Sequence, residues 1–431
     1  MNLPWTLWHY WRAKRLRFAT RAALEAWQQR QLQRFIRRTL AHSPWFSRLI
    51  DQPFTRWPEM NKALMMAHFD AMNTAGLRKD MLLDCALRSE QERDFVPKVG
   101  RFSVGLSSGT SGQRGLFVVS PREQQIWAGG MLAKMLPDGL MAGERVALFL
   151  RADSNLYQAV NSRWLSLDFY DLFSPFAGHL QRLQQQAPTI IVAPAQVLRA
   201  LALEHAAGRL ALPGLKKMIS VAEVLEPQDR QLLQRCAPQV AEVYQATEGF
   251  LAASCAHGAL HLNEEFVHIE PQWLDGQRFI PVITDFTRHT QPIVRYRLDD
   301  VLHTTHQACP CGNPARVITA IEGRQDDQLL LANAQGQRQT IFADLLSRAL
   351  AQQLPLESDY RLEQRSADTL HLSATCDAPT LERVRQGLVQ CLQQQGVDTA
   401  QLHWETQAAQ PIPAQFDRKR RRIIRRWEPS A

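Results

Sequence analysis

Apolar residues recur at helical spacing over residues 20–42, where Leu24, Leu32, Phe35, Ile36 and Leu40 predict a helix that ends before Pro44. Residues 45–100 are mixed and lean helical. From residue 101 the pattern changes. Short apolar runs, RVALFL (145–150), TIIVA (189–193), KMISVAEV (217–224) and VAEVY (240–244), read as strands buried on both faces. Helical stretches separate them. The one over 121–136 opens with Ser120 as cap, Pro121 in the first turn and Glu123 placed to close a capping box. This alternation predicts a layered α/β domain with largely parallel strands, whose ligands sit at the carboxyl ends of those strands.

The helical period fades between 260 and 322. RFIPVITDF, QPIVRYRLDD and ARVITAIEG predict a β-rich subdomain there. After EGRQDD (322–327), strand-like YRLEQR and TLHLSAT alternate with helix-like APTLERVRQGLVQCLQQQ. The expected organisation is a large N-terminal α/β domain over 1–325 and a small α+β domain over 326–431.

The chain of 431 residues is 45% hydrophobic, enough for a large core. No apolar run reaches transmembrane length, and Met1 to Phe18 lacks the pattern of a secretory signal. That segment mixes Trp, Leu and Arg, which fits a surface helix with anchoring tryptophans or an interfacial amphipathic helix. Seven irregularly spaced cysteines do not form a disulfide framework, so a reducing cytoplasm is the expected location. The net charge of +8 is concentrated in RKRRRIIRR (418–426), which carries seven cations and leaves about +1 for the rest. There is no broad basic face, and nucleic acid is not an expected partner.

GLSSGTSGQRG (105–115) holds four glycines, three serines and a threonine. With a strand before it and a helix after it, such a loop can turn its amides and hydroxyls toward one anion. A flexible surface loop has the same composition. It is not a Walker loop, since no Gly-Lys-Ser/Thr follows at the required spacing.

The order SSGTSG, YQATEG (244–249), RYRLDD (295–300), EGRQDD and a late lysine resembles that of adenylate-forming enzymes, and most of all the phenylacetate–CoA ligase branch. HSPWFSRL and WPEMNKALMMAHFD resemble the N-terminal region of that branch. The resemblance implies an ATP-dependent acid–thiol ligase with a small, mobile C-terminal domain. It would form acyl-AMP with release of pyrophosphate, then pass the acyl group to coenzyme A or to the phosphopantetheine of an acyl carrier protein. It also implies residue roles. Ser107, Ser108, Gly109, Thr110 and Gly112 would hold the β- and γ-phosphates. Ala222 and Glu223 would line the adenine pocket, and Tyr244 would lie on the adenine face. Thr247 would point its hydroxyl at the α-phosphate, and Glu248 would ligate Mg2+. Asp300 would accept from the ribose hydroxyls, with Asp299 standing where relatives carry glycine. Arg324 would contact ribose or phosphate, and Asp326 falls at the hinge. Lys419 would stabilise the carboxylate–phosphate transition state. It is the first lysine after Lys217 in a chain rich in arginine. Gln113 stands where many relatives have lysine, and Arg114 is a candidate replacement.

Cys309-x-Cys311, with Cys255 and a histidine, can make a tetrahedral structural zinc set. Relatives place the histidine six residues after the first cysteine, which is His261. His257 is the alternative, and His303 and His306 are poorer ones. Tyr157, Trp164, Phe169 and Tyr170 are candidate acyl-pocket aromatics, although aromatics there are more often core than pocket. The substrate is expected to be a small carboxylic acid, and a homodimer is an admissible assembly. Two other readings stand beside the thioester-forming one: an adenylating enzyme with a non-thiol acceptor, and a non-catalytic scaffold retaining the fold.

Overall fold

The computed structural model describes residues 3–92, 97–106, 115–136, 138–150, 163–324, 328–409, 416 and 420–427. Two N-terminal helices, α1 (Leu3–Arg15) and α2 (Arg21–Arg38), precede three more, α3 (Lys62–Ala67), α4 (Phe69–Met72) and α5 (Lys79–Glu92). Thr20 caps α2 by accepting from Ala23 N, and Leu24, Leu32 and Phe35 form its buried stripe.

A small antiparallel sheet follows: β1 (Lys98–Val99), β2 (Phe102–Leu106) and β3 (Leu116–Val119). It packs Val104, Leu116 and Val118 on Phe69, Leu82 and Ala86. The Gly/Ser-rich segment therefore joins β2 to β3: the strand expected before it is β2, but a second strand rather than the expected helix follows it. Leu116-Phe-Val-Val is β-branched and apolar enough to pair back on β2, and the helix is deferred to Pro121. Gly105 is required for packing rather than for anion binding. It faces Phe117 across the hairpin, and an added Cβ would lie 2.3 Å from the Phe117 ring.

Helix α6 (Pro121–Met135) carries the capping box expected at Ser120 and Glu123. Its Gly129-Gly130 pair is poor helix sequence, but α1 crosses here. A Cβ on Gly129 would lie 2.6 Å from His9 Cβ and 2.7 Å from Tyr10 N.

The main sheet has a parallel half: β4 (Glu144–Leu150), β5 (Leu165–Asp171), β6 (Ile190–Ala193), β7 (Lys217–Val221) and β8 (Gln239–Ala246). It continues antiparallel through β9 (Gly249–Ser254), β10 (Leu260–Leu262), β11 (Val267–Trp273), β12 (Arg278–Asp285), β13 (Tyr296–Arg297), β14 (Asp300–Thr305) and β15 (Val317–Arg324). The QPIVRYRLDD run is not one strand, because Arg295 takes φ +43 and turns its guanidinium to Glu270 (Nε–Oε2 3.2 Å).

Beyond residue 328, β16 (Leu329–Ala332) and β17 (Arg338–Ile341) form a hairpin. β18 (Tyr360–Gln364), β19 (Thr369–Ala374), β20 (His403–Ala408) and β21 (Ile423–Arg425) form a four-stranded sheet in the order β20-β19-β18-β21. The helices Ala343–Ala351 and Ala378–Gln394 complete this smaller α+β body around its own core. Asp326 lies outside the described residues. The arginine-rich C-terminal segment is built into the fold: Ile423 and Ile424 are buried in β21, and Arg420 and Arg422 are consumed by internal ion pairs. Those two arginines are therefore not free to meet an acidic carrier protein. Among the described residues, no helix is long and apolar enough to cross a membrane.

Candidate active site

β7 and β8 are parallel, with Val221 opposite Val243. Their carboxyl ends therefore lie side by side and set Ala222 and Glu223 next to Tyr244. Ala222 takes φ +65, a left-handed conformation costing a non-glycine residue roughly 1–2 kcal/mol. Glu223 sits at the start of the helix Ala195–Ala206. Gln196 N donates to its Oε2 at 3.1 Å and Gln196 Nε2 to its Oε1 at 2.9 Å. The same Oε1 accepts from Arg420 N at 3.2 Å, so Glu223 also holds the C-terminal segment.

Tyr244 Oη donates to Asp300 Oδ2 at 2.5 Å. Three strands lie between β8 and β14 in the sheet order, so the sheet curls to bring these side chains together. Of the two aspartates, Asp299 is exposed, while the half-buried Asp300 faces Tyr244. Its carboxylate keeps acceptor capacity beyond the tyrosine. In the β14–β15 ladder Arg324 is the cross-strand partner of Asp300.

Thr247 and Glu248 form the turn between β8 and β9. Arg288 Nη1 donates to Thr247 O at 3.0 Å and fixes the turn from beneath. Glu248 is half-buried and makes no hydrogen bond or ion pair among the described residues. An uncompensated carboxylate there suits a hard divalent cation.

Below the turn lies a polar cluster that the motifs do not reveal. Glu123 is buried and accepts from His289 N, Thr290 N and Thr290 Oγ1 at 2.5–2.8 Å. Burial would raise its pKa, but Arg288 and these donors outweigh burial and hold it low. Asp285 is pushed up to about 6 by burial, against the pull of Thr287 and Arg288. Gly249 abuts it, and an added Cβ would meet Asp285 Oδ2 at 2.8 Å. The signal for this cluster was available in the sequence, as ionisable residues inside the apolar stretch PVITDFTRHTQPIV.

Ser107, Ser108, Gly109, Thr110, Gly112, Gln113, Arg114 and Lys419 lie outside the described residues. Both flanks of Lys419 are anchored. Phe416 packs on Phe176 (ring centroids 5.0 Å apart), and Arg420 bonds Glu223. Of the candidate pocket aromatics, Tyr157 is outside the described residues, Trp164 is 44% exposed and Phe169 is half-buried. Tyr170 is a core residue instead. It is fully buried, stacks on Phe149 at 4.6 Å and donates to Gln186 at 2.7 Å.

At the far end of the antiparallel half, Cys255, His261, Cys309 and Cys311 place their ligand atoms within 4.8 Å of one another. Cys255 Sγ and Cys309 Sγ are 3.7 Å apart, close to the edge of about 3.8 Å that a tetrahedron with Zn–S of ~2.3 Å requires. His261 Nε2 is 3.3 Å from Cys311 Sγ, while Nδ1 lies 3.0 Å from Ala315 O, the usual way a backbone carbonyl orients a ligating imidazole. Burial lowers the His261 pKa and favours the neutral ring that ligates. His257 and His306 are exposed, and His303 is committed to Glu322.

No family model and no curated protein matches the chain. Solved structures do. A 2-hydroxyisobutyryl-CoA ligase in the postadenylation state, bound to 2-HIB-AMP, is 18% identical with a TM-score of 0.71, over 95% of this chain and 91% of that one. The same ligase in its thioesterification state, with 2-HIB-AMP and CoA, gives a TM-score of 0.55 at 20% identity, over 93% and 90%. The amide bond synthetase McbA from Marinactinospora thermotolerans is 12% identical with a TM-score of 0.52, over 73% and 66%. The chain shares the fold of these ligases.

Proposed function

We propose that this protein is an adenylate-forming ligase of the phenylacetate–CoA ligase type. It would activate a small carboxylic acid with ATP and transfer the acyl group to a thiol. The observation that carries the reading is the Tyr244–Asp300 hydrogen bond at the carboxyl end of the sheet, beside Ala222, Glu223 and the Thr247–Glu248 turn. Residues scattered between positions 222 and 300 meet where an open α/β sheet binds ligands. Neighbours with this fold hold an acyl-AMP.

In this reading Tyr244 presents its ring to adenine, and Asp300 accepts from the ribose hydroxyls. The loop over 107–112 cradles the β- and γ-phosphates. Glu248 would hold Mg2+, which supplies positive charge to the phosphates. Arg288 and Glu123 keep the turn fixed, so that the Thr247 hydroxyl is ready for charge developing at the α-phosphate. A carboxylate oxygen attacks the α-phosphorus and the bond to the β-phosphate oxygen breaks, releasing pyrophosphate. Lys419 stabilises that transition state. A thiolate then attacks the acyl carbonyl, and AMP leaves. Coenzyme A or a carrier pantetheine is the acceptor. The fold similarity to an amide bond synthetase keeps an amine as the second reading.

The cysteine–histidine set would hold zinc with four protein ligands and no open position, so its role is structural. It staples the turn after β9 to the loop after β14, at the opposite ends of the strands that begin at the Thr247–Glu248 turn and at Asp300.

ATP–pyrophosphate exchange across a panel of aryl and short-chain acids tests the activity. Exchange with at least one acid, lost in Lys419→Ala while ATP still binds, is the expected result. Absence of exchange with every acid, or full activity in Lys419→Ala, overturns it. Supplying coenzyme A or an amine then separates the acceptors. Elemental analysis should find one zinc per chain, lost in Cys309→Ser; metal-free protein purified without chelators removes the zinc assignment.

A further inference from the structure

Helix α1 buries one face and, among the described residues, leaves the other exposed. Thr6, His9, Tyr10 and Ala13 are buried against α6, where the Gly129 backbone lets the helix approach. On the outward side, Trp5 is 54% exposed, Trp8 50% and Trp11 52%. Arg12 and Arg15 project between them. At about 100° per residue these five side chains share an arc of roughly 120°. Trp5 and Trp8 meet edge to face at 5.9 Å, and the Arg12 guanidinium lies 5.5 Å from the Trp8 ring. The first acidic residue of the chain is Glu25, preceded by Arg12, Lys14, Arg15, Arg17 and Arg21.

We propose that the outward face of α1 is a docking surface for an anionic lipid–water interface. Side-chain chemistry selects this occupant. The exposed large apolar groups on the arc are indoles, which favour the headgroup level over a dry core. Guanidiniums are interleaved with them and carry no acidic neighbour within the helix, so the face complements negative headgroups. Trp and Arg are also common in protein interfaces, so a second copy of the chain is the competing occupant that the test below separates. Another apolar group lies nearby. Met141, 73% exposed, follows Leu140, whose backbone bonds the Tyr10 hydroxyl. The helix lies flat on the protein and is about 20 Å long, so it would rest on a membrane rather than cross it.

The test is co-sedimentation of the full chain with phosphatidylcholine vesicles and with vesicles rich in phosphatidylglycerol. The proposal expects at least about tenfold stronger partition to the anionic vesicles, weakened by salt. Trp5→Ala/Trp8→Ala/Trp11→Ala and, separately, Arg12→Gln/Arg15→Gln should each lose about tenfold or more. Their thermal midpoint and solution mass should match the wild type. The arginine pair serves as the readout if the tryptophan variant does not fold. Equal uptake by neutral vesicles, or wild-type binding by the arginine variant, overturns the proposal. So does a fall from dimer to monomer in the tryptophan variant without any vesicle binding, which would assign the face to a second copy. The ligase reading is independent of all these outcomes.

Discussion

Asp229 is fully buried where the two bodies of the chain meet. It accepts from Arg199 Nη1 at 2.8 Å and Arg422 Nη2 at 3.0 Å, and it pairs with Arg420. Arg199 reaches on to the carbonyls of Glu357 (2.7 Å) and Ser358 (2.9 Å), and Gln228 Nε2 to Pro355 O (2.8 Å). Arg422 also donates to Asp359 (2.9 Å) and to Glu226 (2.5 Å), which accepts from the Tyr360 hydroxyl as well. Among the described residues, three guanidiniums therefore face three carboxylates: Asp229, Asp359 and Glu226. Burial alone would raise the Asp229 pKa, but Arg422, Arg420 and Arg199 outweigh it and hold the carboxyl at about 2. Asp229→Asn removes one charge and leaves one positive charge unbalanced. Breaking a buried pair this way costs about 3–5 kcal/mol. At about 1.4 kcal/mol per factor of ten, the docked arrangement loses roughly two to three and a half orders of magnitude in weight against any other. The fold similarity is higher to the postadenylation state of the CoA ligase than to its thioesterification state. Under the proposed ligase function, the docked arrangement is therefore the one that would serve adenylation. The variant should therefore slow pyrophosphate exchange by about 100-fold or more. Thioester formation from supplied acyl-adenylate should hold or rise. Adding Arg422→Met restores the balance of charge and should recover part of the loss. Exchange within twofold of wild type, with an unchanged melting curve, would refute the role of this network in domain docking.

Gly129→Ala should destabilise the protein by about 1–2 kcal/mol in thermal melts, because crowding against α1 outweighs the helix-propensity gain of ~1 kcal/mol; a stabilised variant would show that α1 packs elsewhere. Tyr244→Phe should raise the KM for ATP about tenfold with kcat little changed, since a hydrogen bond to a carboxylate is worth about 1.5 kcal/mol; an unchanged KM would separate Tyr244 from the nucleotide. The Asp285 carboxyl moves from 3.8 unfolded to about 6 folded, so its neutral form favours the fold. That contribution is complete below the unfolded value and is lost as pH rises through about 6, a swing of about 3 kcal/mol. Asp285→Asn should therefore gain stability relative to wild type as pH rises from about 4 to about 6.5, with the difference level above about pH 7, read as the pH dependence of the difference in melting midpoint; a difference that is flat across that window would refute the buried carboxyl's titration.

Much of the fold was legible because local rules and tertiary structure agree. Continuous apolar runs such as TIIVA could only be satisfied between two layers, and Ser120, Pro121 and Glu123 start α6 by backbone chemistry alone. The motif order likewise directed attention to Tyr244 and Asp300. Other features were decided only in three dimensions. Which aspartate faces Tyr244 depends on sheet curl. That Tyr170 fills the core rather than a pocket depends on the helix packed above it. Gly105 and Gly129 resemble flexible or helix-breaking residues in sequence, yet each is fixed by a partner ring or backbone, distant in the chain for Gly129. The arginine-rich C-terminal segment looks like a free cationic tail, and only the meeting with Asp229, Glu226 and Asp359 shows that Arg420 and Arg422 are internal ions. Sequence determines periodicity, capping and residue chemistry, because these act over a few positions. Charge pairing, close approach and burial act through space, so they are settled only when distant segments meet.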